Sequence, residues 1–122
     1  MTNDEIARVA KVLEGDYRLV INKGAEDYIQ KGQKYLVFEI GEEIMDPETG
    51  ISLGKIELVK GMGKVIHVQK NMATIESIEK EYKTVKINPL FAKITDRHNQ
   101  QTETIDLPFE NPLEGDFVKR VI

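Results

Sequence analysis

The chain has 122 residues, a formal net charge of −4 and no cysteine. That length fits one domain of about 100–150 residues, and 40% hydrophobic with 31% charged residues argues against disorder throughout. Disulfides, a thiolate nucleophile and a cysteine zinc site are excluded, the acidic balance gives no general attraction to nucleic acid or anionic membranes, and no apolar run approaches the roughly 18 residues of a membrane span. The first residues, MTNDEIARVA, lack the basic and apolar regions of a signal peptide, so a cytoplasmic location is expected.

The first segment has two readings. Ile6, Val9, Ala10 and Leu13 fall at the spacing of an amphipathic helix, with Thr2 or Asn3 as its cap. Alternatively, residues 7–13 and 17–22 form a β-hairpin turning at Glu14-Gly15-Asp16, which suits the strand formers Tyr17, Leu19, Val20 and Ile21. Residues 34–40, KYLVFEI, are apolar on both faces and read as a central strand. Asp46-Pro47-Glu48-Thr49-Gly50 is a turn, in which proline fixes φ and Gly50 supplies a positive φ. A strand over 52–59 comes next. Gly61-Met62-Gly63 then permits a bend or bulge. Residues 64–69 place Ile66 and Val68 on one face, with Val65 and His67 on the other. Lys70-Asn71 turns the chain into a strand over 72–77, with Ala73 and Ile75 inward.

Residues 84–114 differ in kind. They hold Pro89, Pro108 and Pro112 and the polar tract 95–104, and are expected to be a long loop before a last strand over 116–122. Residues 78–86, IEKEYKTVK, fit a strand continuation or a helical turn equally well. Short strands with turn signals about every 8–12 residues predict a mainly β fold: a small antiparallel barrel of about five to seven strands.

Residues 20–41, VINKGAEDYIQKGQKYLVFEIG, the stretch Gly41-Glu-Glu-Ile-Met-Asp-Pro-Glu-Thr-Gly-Ile-Ser-Leu-Gly54 and the closing Leu113-Glu-Gly-Asp-Phe-Val118 carry a resemblance. Together they resemble the small β-barrel of the C-terminal domain of flagellar assembly protein T, over residues 6–78 and 113–122. The resemblance implies a barrel with a long hairpin built on Asp-Pro-x-Thr-Gly, and a structural or assembly role. Such barrels usually carry glycine at the position of Tyr28, so a left-handed backbone there would strain this chain. Independently of the resemblance, Gly24 is expected to turn the chain sharply after a buried strand, Gly32 to open the next strand, and Gly115 to precede the last.

No catalytic constellation is legible. The only serines, Ser52 and Ser77, have no histidine near them in sequence, and Lys60-Gly-Met-Gly-Lys64 lacks the spacing of a phosphate loop. His67 and His98 are too far apart in sequence to form a short-range metal pair. The acids Glu39, Glu42, Glu43, Asp46 and Glu48 lack the calcium-loop pattern and read as a solvated hairpin tip that discourages edge association. No enzyme activity, cofactor or metal is therefore expected. The apolar patches Leu90, Phe91 and Ile94, and Leu107 and Phe109, either fold back over an open barrel end or contact a second subunit or protein partner. The expected function is a non-enzymatic binding or assembly module, in an oligomer or with a protein partner. One alternative is single-stranded nucleic-acid binding through Lys55, Lys60, Lys64 and Lys70 with Tyr35 and Phe38 as stacking faces, although 17 basic residues stand against 21 acidic ones. A second alternative is a small-ligand barrel.

Overall fold

The structure, a computed structural model, describes residues 6–86 and 100–121. The strands are β1 (Ile6–Val12), β2 (Arg18–Ile21), β3 (Lys34–Met45), β4 (Ser52–Val68), β5 (Ala73–Ser77), β6 (Lys80–Lys86), β7 (Gln100–Asp106) and β8 (Phe117–Val121). A closed barrel runs in the order β1-β2-β5-β4-β3-β8, with β8 paired back to β1, and β6 and β7 form a separate two-stranded sheet. Every pairing is antiparallel. The chain is thus a small antiparallel β-barrel. Residues 80–86 take the strand alternative and pair with β7, so the stretch 84–114 expected as a long loop carries part of a hairpin.

β1 is a strand of the opening hairpin. Ala7 and Val9 point inward, and the register slips between Val9 and Lys11, so that Val12 comes to lie against the core. That bulge spaces the apolar residues unevenly and imitates a helical period; Ile6 and Ala10, which a helix would bury, are exposed. The turn is held by the Leu13 N–H donating to the Arg18 carbonyl, with Gly15 and Asp16 at positive φ.

A second bulge re-aims β4. Val65 pairs Ile75 but His67 pairs Thr74, so the skipped Ile66 shifts the parity of the residues beyond it. Val65 is buried, Val68 packs on the core, and His67 turns outward. The simple alternation that puts Val65 and His67 on one face does not hold, because it ignores the extra residue.

The core is a single cluster built from inward positions of all six barrel strands, with Ile29 and Phe109 added from loops. Residues 24–33 close one end. There the Gly24 backbone lies so near the β4–β5 turn that a Cβ would stand 2.3 Å from the Gln69 carbonyl oxygen and 2.5 Å from the Met72 nitrogen. Close approach, not a positive φ, requires the glycine. The Ala25 and Glu26 N–H groups donate to the Gln69 and Lys70 carbonyls, and Ile29 tucks into the core. Tyr28, in the same loop, has φ 66° and ψ 24° with its side chain 85% exposed. It adopts the left-handed conformation with little burial to offset the strain.

Phe109 closes the opposite end and is only 1% exposed. Its ring lies over Gly61 and Gly63, where added Cβ atoms would stand 3.0 and 2.8 Å from it. The missing side chains of β4 make the seat for the ring.

Substitutions at the two ends should act in opposite directions on stability. Tyr28→Gly should raise the unfolding free energy by about 0.5–1 kcal/mol in a denaturant titration, since glycine relieves the left-handed strain and little packing is lost. Phe109→Ala should lower it by about 3–5 kcal/mol; a Phe109 serving only a partner surface would leave the isolated chain's stability unchanged.

Candidate functional site

The long β3–β4 hairpin leaves the barrel at the end that Phe109 closes. β3 pairs β8 only from Lys34 to Phe38, and β4 pairs β5 only from Gly63 to Val68, yet β3 and β4 stay paired out to Met45 and Ser52. Residues 39–45 and 52–59 therefore form a two-stranded arm. Its tip is the turn 46–50, where the Gly50 N–H donates to the Asp46 carbonyl, the Glu48 N–H donates to Asp46 Oδ1, and Gly50 has φ 75°.

The base of this arm is fixed by a bulge and a buried ion pair. Val37 pairs Gly61 and Phe38 pairs Val59, which leaves Lys60 as the extra residue. Gly61 takes φ 137°, a backbone that disfavours any side chain. The bulge carries the Lys60 ammonium into the barrel end, 2.8 Å from Asp116 Oδ2 and 3.0 Å from Glu39 Oε1. Lys60 and Asp116 side chains are each 7% exposed, whereas Glu39 is half exposed. Asp116 Oδ2 also accepts from the Leu113 N–H, and the Asp116 carbonyl accepts from the Val9 N–H, so the pair ties β4 to β1 and to the start of β8. Burial pulls the Lys60 pKa down, but its hydrogen bonds to Asp116 and Glu39 and their charges outweigh this, and the net shift is upward.

Outside the barrel wall, Phe38 stacks on Phe117 at 5.7 Å between ring centroids, with the Arg8 guanidinium over Phe117 and the Lys119 ammonium over Phe38. Lys119 also pairs Glu57 at 2.9 Å. This layer braces the arm's root from the solvent side.

The β6–β7 hairpin is the second arm, paired from Lys80 with Asp106 to Lys86 with Gln100. It is anchored to the barrel by its roots. The Ser77 hydroxyl donates to the Leu107 carbonyl, the Leu107 N–H to the Glu79 carbonyl, and the Phe109 N–H to the Asp16 carbonyl, while Lys80 pairs Asp106.

Two hollows flank these roots. One, of about 470 Å³, is lined by Val59, Gly61, Leu107, Pro108 and Phe109 together with Lys60, Glu79 and Glu110. The other, about 650 Å³, is polar, and its charges are largely spent on one another in the Arg18–Glu76 and Lys80–Asp106 pairs.

The structure scatters the residues that the sequence singles out. Phe109 is used inside its own barrel, and Leu107 is half-buried beside it. Leu90, Phe91 and Ile94 lie outside the described residues, as does His98. Gly32 and Gly115 have φ 94° and 93° at the entrances to β3 and β8. The stacking faces expected of Tyr35 and Phe38 are buried, each at 3% exposure. The four strand lysines have separate surroundings: Lys60 is buried with acids, Lys70 approaches Glu26, Lys55 sits on the acidic arm, and Lys64 lines the polar hollow with Glu14 and Glu76. Spacing alone missed the Lys60–Asp116 pair, because its partners are 56 residues apart and only the Gly61 bulge turns Lys60 inward. No protein-family profile and no curated protein sequence matches this chain.

Lys60→Met should cost about 3–5 kcal/mol of stability by leaving Asp116 buried without its cation, and Lys60→Met/Asp116→Asn should recover most of that loss. Because the folded-state pKa of Lys60 is raised, its contribution is full below the ordinary lysine pKa and fades as pH rises through the higher folded value. Denaturant titrations across alkaline pH should show that fall in the wild type and not in the double variant.

Proposed function

We propose that this chain is a non-enzymatic binding and assembly module that associates through its protruding arms. The observation that carries this reading is the exposed apolar surface of the β3–β4 arm. Met45, Ile51, Leu53, Ile56, Leu58 and Val59 are all exposed, with Ile51 and Leu53 each at 66%. The barrel core is complete without them, and apolar side chains concentrated on a thin two-stranded projection mark a surface that contacts something else. Ile56 and Leu58 lie over Gly41, whose missing Cβ leaves room for their side chains, so the arm has an apolar face of its own. The resemblance of residues 20–41 to a flagellar assembly barrel leans the same way. Among the described residues, no helix is long and apolar enough to cross a membrane.

A second reading, small-ligand binding, is favoured by the hollow beside Phe109. Its volume of about 470 Å³ falls within the usual range for ligand pockets, and its lining joins Val59, Leu107 and Pro108 to the charged Glu79 and Glu110. A ligand held there would raise the melting temperature by mass action.

Sedimentation over a wide concentration range tests the assembly reading. Association should increase with concentration, and Ile51→Ser/Leu53→Ser should weaken it while leaving the thermal unfolding of the chain nearly unchanged. A wild-type chain that stays monomeric throughout removes the support for assembly.

A further inference from the structure

We infer that association is head-to-tail between copies of this chain, with β6 of one copy adding as a strand to the open edge of β3 in the next. This rests on the assembly reading and specifies its partner and geometry. Both edges are unpaired among the described residues. β3 loses β8 beyond Phe38 and runs on through residues 39–45 with only β4 beside it, and β6 has only β7. An incoming strand would occupy the lane that β8 leaves vacant. β6 has seven residues, which matches residues 39–45.

Charge selects the pair. The open part of β3 reads EIGEEIM, with three glutamates and no base. Glu42 and Glu43 are exposed and form no ion pair among the described residues. β6 reads KEYKTVK and β7 reads QQTETID; with Lys80 and Asp106 spent on each other, β6 keeps two lysines against one glutamate, and β7 keeps Glu103 and no base. Like charges therefore disfavour β3 meeting β3 or β7, the open stretch of β4 over 52–59 holds one lysine and one glutamate and is neutral, and opposite charges favour β3 meeting β6. Tyr82, the third residue of β6 and 70% exposed, supplies an aromatic side chain to the contact. A contact made by two different surfaces is heterologous, so it propagates into a ring or a filament rather than closing as a two-fold dimer. The bulge at Gly41–Glu42 interrupts the edge and keeps the contact weak and dependent on concentration.

The test uses two full-barrel variants. Glu42→Lys/Glu43→Lys spoils the β3 edge, and replacing residues 83–103 by Asn-Gly shortens the second arm between the paired Tyr82 and Thr104 while keeping its roots. Circular dichroism and melting temperature check that each variant keeps the barrel. Each variant alone should sediment as a monomer at concentrations where the wild type associates, with an apparent dissociation constant raised about tenfold or more. Mixed together, they should form a complex of one copy of each and nothing larger, because each supplies the edge that the other lacks. Raised salt should dissolve the wild-type assembly. If the wild type associates but either variant does so as tightly, or the mixture gives no mixed complex, the head-to-tail contact is overturned and assembly through another surface stands. If the wild type is monomeric at all concentrations, both readings fall.

Discussion

The buried contact between Lys60 and Asp116 is the constraint on which the rest of the molecule turns. β4 is a single strand of 17 residues that belongs to the barrel at one end and to an arm at the other. Such a strand needs a fixed point where one role gives way to the other. The bulge provides it: Lys60 is the extra residue, Gly61 bends the backbone, and the ammonium is drawn into the barrel end by Asp116 and Glu39. Two of the three charged groups come from different strands and the third from the turn before β8, so one hydrogen-bonded cluster sets the arm's root and the last strand's entry together. A buried pair of this kind is costly to desolvate, and its usual return is specificity of arrangement more than net stability. Here that arrangement is the take-off point of the arm.

Phe109 belongs to the same device. Gly61 serves the bulge and also clears space for the ring, and Gly63 completes the seat. The Glu110 N–H then donates to the Lys60 carbonyl, so the segment after the second arm is stitched to the root of the first. The two arms are therefore coupled through their roots, although each is otherwise a separate two-stranded ribbon. Stability resides in the barrel and its plugged ends, and the arms draw on it without contributing to the buried core. Their surfaces are consequently free of the packing requirements that govern the barrel.

Much of the barrel was legible in the sequence because its signals are local. The turn at Asp46–Gly50, the apolar strand at 34–40 and the inward Ala73 and Ile75 are all dictated by residues next to one another. Bulges were less legible. A single extra residue in β1 made a strand look helical, and another in β4 moved His67 to the opposite face from the one alternation gives it. Sequence left β6 undecided between strand and helical turn and gave no sign of β7, since KEYKTVK and QQTETID lack an alternating apolar face; a ribbon that packs on no core has no need of one. Phe109 could be read as folding back over an open barrel end or as a contact surface; it folds back, and the sequence could not decide between the two because the glycines that receive it lie far earlier in the chain and an absent side chain leaves no hydrophobic signal.

An arm with two bare edges is a liability unless something limits what joins it. On β3 the limit is charge, which repels a second β3 and disfavours the acidic β7 while leaving the lysine-bearing β6 acceptable. Under the head-to-tail proposal, the same acids that read in sequence as a solvated, protective tip would act as a filter rather than a barrier. On that proposal the exposed apolar residues at 51, 53, 56 and 58 would supply an attraction indifferent to partner, and the glutamates the discrimination. In the assembly we propose, separating those two roles along one ribbon would give a small barrel a selective contact surface that its own core does not need.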